Sequence, residues 1–167
     1  LVTDGVTAVA LGLEKSEPDQ MEKPPREKDE PILGRGGIAM ICLFGLYTGI
    51  ASFWIFNHLL DTGVDVARTT AFCAMVTFEK VSVFAFRSLN LPCWRIGWLS
   101  NPLLLAAFAL TMAAQVLAIY WAPLQSLLHT VAIGPEHWLL IAGFALPLLI
   151  VPELVKTMTY FMSQRAR

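Results

Sequence analysis

The sequence predicts an all-α membrane protein, a bundle of four full transmembrane helices preceded by a partial helix and a cytoplasmic loop. Three observations carry this prediction. Hydrophobic residues make up 56% of the 167 positions and the mean hydropathy is +0.59, above the range of ordinary globular domains. Four apolar stretches are close to the roughly 20 residues a helix needs to cross a bilayer. Lys and Arg gather on one side of those stretches, as the positive-inside rule requires.

Residues 1–13 are apolar but too short to cross a bilayer alone, and Asp4 interrupts them. They read as the C-terminal half of a membrane helix whose beginning lies ahead of Leu1, so the chain is expected to be a piece of a longer protein. Residues 14–37 are rich in Pro, Glu, Lys and Asp, a composition that cannot sit in hydrocarbon. Their Lys15, Lys23, Arg26, Lys28 and Arg35 place this loop in the cytoplasm. The full spans follow at about 38–60, 66–86, 103–121 and 137–161. Threading them puts Arg87, Arg95, Arg165 and Arg167 on the cytoplasmic side as well. Only Arg68 falls outside, and residues 122–136 contain no Lys or Arg. Trp54, Trp98, Trp121 and Trp138 lie near span ends, where amphipathic rings favour the interface.

The 12 basic residues nearly cancel the 13 acidic ones, which leaves no basic field to hold nucleic acid. Cys42, Cys73 and Cys93 are widely spaced and form no CxxC pair, so free thiols without a structural metal are expected. The start of the sequence lacks the charged n-region and short apolar h-region of a signal peptide, as expected of a piece of a longer protein. His58, His129 and His137 lack metal-ligand spacing. No phosphate-cradling GxxxxGK[ST], GxSxG elbow or HExxH pair is present.

Ionisable groups inside a membrane are costly, about 2.5 to 3.5 kcal/mol at a helix centre, so each needs a partner or a purpose. Asp4 follows Thr3 and precedes Gly5, which puts a carboxylate, a hydroxyl and a flexible backbone within one turn. That is a partial shell of hard oxygen ligands for calcium; the competing reading is a carboxylate that caps a helix break. Glu79 lies within the second span, either as a cation ligand or as an ion-paired glutamate between helices. Its neighbour Lys80 points about 100° away around the helix. Direct side-by-side pairing is therefore not expected, and Lys80 either meets another helix or snorkels to the interface. Glu153 and Lys156 read as a local i,i+3 ion pair, and Pro147 and Pro152 as kinks in the last span.

Leu1-Val2-Thr3-Asp4-Gly5, Ala10-Leu11-Gly12, Met21-Glu22-Lys23-Pro24-Pro25-Arg26 and Glu30-Pro31-Ile32-Leu33 resemble, in order and spacing, the sixth membrane helix and following loop of calcium-type P-type ATPases. Val76-Thr77-Phe78-Glu79 resembles the eighth helix of that family, and Leu146-Pro147 through Glu153 and Lys156 the tenth. The resemblance covers essentially the whole chain. It implies that Thr3, Asp4 and Glu79 are metal ligands for transported calcium or a related cation. ATP and magnesium would act only in the upstream domains, whose DKTGT motif is outside this sequence. The implied partners are the lipid bilayer and the upstream part of the same pump, with no nucleic acid. The plasma membrane is favoured over an organelle membrane. The parent protein would be an enzyme, while this stretch alone would carry no catalytic residues.

Two positions depart from the family pattern: Thr7 stands in place of a proline, which softens the expected helix break, and Lys80 follows Glu79. Sodium-potassium pumps lack the glycine after the aspartate and carry a second acid where this sequence has Ala8. The alternative to a pump domain is a non-enzymatic four-span protein, acting as a remnant, scaffold or accessory subunit. A secondary transporter is disfavoured because no internal repeat is visible.

Overall fold

The computed structural model describes residues 2–14, 34–89 and 91–165, and the side chains of residues 2–4, 35 and 163–165 lie outside that description. The loop motifs from Met21 to Leu33 fall outside the described residues. Those described form helices α1 (Val2–Gly12), α2 (Arg35–His58), α3 (Val64–Phe86), α4 (Cys93–Ile96), α5 (Pro102–Tyr120), α6 (Ala122–Leu128) and α7 (Pro135–Arg165), with a 3-10 turn at Leu60–Thr62. Four segments are long and apolar enough to cross a membrane: Gly36–Thr62, Val64–Phe86, Pro102–Tyr120 and Pro135–Met162.

Local chemistry explains where these helices stop. Between α2 and α3 the chain turns at Gly63, whose φ of 130° is open only to a residue without a Cβ. Another glycine, Gly97 at φ 92°, ends α4. Asn101 then caps α5, its Oδ1 accepting from Leu104 N at 2.9 Å, and Pro102 occupies the first turn where its missing N–H is no loss. At the far end of α5, Pro123 cannot donate to Ile119 O. That carbonyl accepts instead from Gln125 Nε2. The helix stops, and α6 starts in a new direction.

α3 is the central post. It packs on α2 on one side and α7 on another, and the shared core contains Ala51, Ile55, Ala67, Ala74, Phe78, Ile141, Ala145 and Leu148. Lipid tails are as apolar as these side chains, so close packing rather than water exclusion joins the helices. The alanines matter for that reason, since small residues let backbones approach. A second cluster of Ala10, Leu104 and Ala107, with Val83 and Phe84 against it, docks α1 onto α5 and α3. The opposite faces carry large exposed apolar groups such as Leu43, Leu46, Phe53, Leu139 and Met162, as lipid-facing helices do. In α7, Pro147 and Pro152 lie inside the helix, and the nearby Phe144 carbonyl accepts from Tyr47 Oη of α2 at 2.9 Å. The carbonyls that lose a donor to these prolines are those of Gly143 and Leu148, so the Tyr47 bond ties α2 to α7 beside the first of them.

Candidate cation site

Glu79 lies on the same stripe of α3 as Phe72 and Met75, both exposed. Its side chain is 48% exposed. A carboxylate facing hydrocarbon would be unfavourable by a few kcal/mol, so this stripe suits contact with protein or ions rather than lipid. Lys80 is the reverse case, with a side chain that is fully buried. Its Nζ donates to Glu79 Oε1 at 2.6 Å. The expectation that adjacent positions would not pair is thus corrected. The Cα–Cβ bonds diverge by about 100°, but the two stems are long enough for the carboxylate to fold over the ammonium. Pairing also removes the penalty of burying Lys80 with no anion beside it.

Thr3 and Asp4 lie in the first turn of α1, and their side chains are outside the described residues. The backbone there departs from the expectation of a helix break. Val2–Gly12 is one continuous helix that runs through Gly5. Thr7 has the N–H that a proline would lack, and one glycine in a helix costs only about 1 kcal/mol relative to alanine. Calcium takes six to eight oxygens. Among the described residues no group of three or more His, Cys, Asp or Glu could hold a metal ion, so a site including Glu79 would need ligands from more than the described side chains.

Two charge clusters stand at the end of the bundle where α3 and α1 finish. Arg87, just past α3, binds Glu14 through two parallel bonds, Nε to Oε2 at 2.9 Å and Nη2 to Oε1 at 2.7 Å. Its guanidinium also donates to Gly97 O, Trp98 O and Ser100 Oγ. Hydrogen bonding to Glu14 is the main reason that the Arg87 pKa is raised above its ordinary value, which keeps the charge fixed. Asn101 Nδ2 completes this cluster by donating to Ala10 O at 2.9 Å and Glu14 Oε2 at 3.0 Å.

The second cluster joins α7 to α3 and α4. Glu153 and Lys156 form the expected ion pair at 3.7 Å, yet each does more. Glu153 Oε2 accepts from the first backbone N–H of α4, at Cys93, at 2.7 Å, and Lys156 Nζ donates to Ala85 O near the end of α3 at 2.5 Å. Each charge thus sits at the helix terminus that its sign favours. Cys93 is buried, and desolvation together with Glu153 pushes its thiol up to about 11, so it stays protonated. Sequence reasoning missed the Arg87 cluster entirely. Asn101-Pro102 carried a helix-start signal, but nothing local paired Arg87 with Glu14.

Residues 1–158 match the family described as "Cation transporting ATPase, C-terminus". The chain is 33% identical over 148 residues to "Calcium-transporting ATPase" of Bacillus subtilis (strain 168), a match covering 87% of this chain and 16% of that protein. It is 31% identical over 157 residues to "Calcium-transporting ATPase 1" of Lactococcus lactis, covering 94% and 18%. With "Calcium-transporting ATPase type 2C member 2" of Mus musculus it shares 29% over 170 residues, covering 100% and 18%. The chain therefore spans less than a fifth of the length of these relatives. With a match along residues 1–158, nearly the whole length, the chain belongs to the cation transporting ATPase C-terminus family.

Proposed function

We propose that this chain is the C-terminal membrane domain of an ATP-driven calcium pump, and that Thr3 and Asp4 of α1 and Glu79 of α3 supply oxygen ligands to the transported cation. The observation that carries this reading is the half-exposed Glu79 carboxylate within a span, held by a buried ammonium and open on its other side. The names of the similar proteins support calcium as the cation. ATP and magnesium act in upstream domains, where phosphorylation of an aspartate switches access to the site. The loop at 14–37 lies in the cytoplasm and the plasma membrane is the favoured location. A single cysteine introduced at Lys28 should be labelled only from the cytoplasmic side, and one at Ser126 only from outside.

The decisive experiment replaces Asp4 with Asn in the full-length protein, which removes a charge and keeps the shape. Calcium-activated phosphorylation from ATP should fall sharply while phosphorylation from inorganic phosphate survives. Unchanged calcium activation would leave Asp4 with a structural role only and sink the assignment. Lys80 has a part in the same site. Its ammonium neutralises Glu79 from within and stands where a second cation would otherwise be attracted, so the pump carries fewer calcium ions per cycle than a site with two free acids.

A further inference from the structure

The candidate ligands are split between α1 and α3, so their relative height along the bundle decides whether they can share one ion. We propose that Arg87, Glu14 and Asn101 form the device that sets the axial register of α1 against α3, which makes Arg87 and Glu14 positioning residues for the cation site. The proposal rests on the calcium-site reading above. At 1.5 Å per residue, the ten residues from Asp4 to Glu14 span about 15 Å and the eight from Glu79 to Arg87 about 12 Å. With the turn past Gly12 counted as a continuation of the helix, joining Glu14 to Arg87 therefore brings the backbones at Asp4 and Glu79 to depths that differ by only about 3 Å, a condition for sharing one ion.

The apolar packing of α1, Ala10 against Leu104 and Ala107 with Val83 and Phe84 beside them, is less directional than a charged fork. The clamp is directional. Arg87 grips both carboxylate oxygens of Glu14 with side chains 0% and 12% exposed, and a bidentate fork fixes orientation as well as distance. The other donors of Arg87 reach the Gly97 and Trp98 carbonyls and Ser100, so the fork is itself held by the connection into α5. Asn101 ties the same point to the cap of α5 and to a carbonyl in the last turn of α1. A slip of one residue would shift Asp4 by 1.5 Å, many times the roughly 0.2 Å tolerance of metal–ligand distances.

The test uses the full-length pump with Glu14→Ala, Glu14→Gln and Asp4→Asn. Two quantities are measured: the calcium concentration for half-maximal phosphorylation from ATP, and the phosphoenzyme formed from inorganic phosphate without calcium, which counts folded pump. Glu14→Ala should raise the calcium requirement about tenfold or more, the usual effect of losing a group that orients a metal ligand, with phosphate-derived phosphoenzyme preserved. Glu14→Gln keeps an acceptor and should shift it less, in the same direction. A normal calcium requirement in Glu14→Ala overturns the proposal. If Glu14→Ala fails to fold, Glu14→Gln decides, and its normal calcium requirement likewise overturns it. Asp4→Asn separates the two claims. A normal calcium requirement there sinks the calcium-site reading and the clamp with it, whereas an impaired Asp4→Asn beside a normal Glu14→Ala sinks the clamp alone.

Discussion

Two charge pairs, one within α3 and one just past its end, are built differently. At the helix end, Arg87 is buried and Glu14 nearly so, joined by two parallel bonds, and backed by Asn101, Ser100 and two backbone carbonyls. In the middle of the span, Lys80 is buried but Glu79 is not, and the ammonium meets one oxygen of a carboxylate whose other side is open. The first arrangement has the surrounding hydrogen bonds that a buried ion pair needs to break even against desolvation. The second lacks them on the Glu79 side, so its carboxylate remains available to a ligand. The difference separates an ion pair that joins helices from one poised to bind.

The largest expected effect tests the closed pair. Arg87→Met leaves Glu14 buried without its fork, and breaking a buried pair typically destabilises by about 3 to 5 kcal/mol. Thermal unfolding in detergent should show a large loss for Arg87→Met and a much smaller one for Glu79→Gln, whose side chain is half exposed. Equal losses would erase the distinction drawn here. A smaller effect concerns the open pair. Lys80→Met in the full-length pump removes the internal counter-ion, and bound calcium counted at saturation should rise by one ion relative to the parent. An unchanged count with unchanged affinity would show that Lys80 does not compete with a cation.

The smallest effect sharpens the comparison with the α7 cluster. Glu153→Gln keeps an oxygen for Cys93 N but loses the charge facing Lys156 across 3.7 Å, so its loss of stability should be about 2 kcal/mol. A loss as large as that of Arg87→Met would mean that Glu153 is as tightly integrated as Glu14.

What the sequence determined by itself was everything that depends on local composition. The lengths of the apolar runs sufficed for four membrane-crossing helices, because an unpaired backbone in hydrocarbon leaves the helix as the simplest solution. Glu79 could be singled out because a charge inside an apolar run is conspicuous wherever its neighbours lie, and the i,i+3 spacing of Glu153 and Lys156 was enough to pair them. The packing of helices decided the rest. Glu14 and Arg87 are 73 residues apart, and a charge at a helix end has the same local sequence whether water or another helix surrounds it. Only the placement of α1 beside α3 and α5 turns these two charges into a clamp. The Lys80–Glu79 contact has a related cause, since backbone periodicity gives the direction of Cβ but not the course of a long side chain. That course is chosen by the neighbouring helices, which leave the buried ammonium close to the carboxylate beside it.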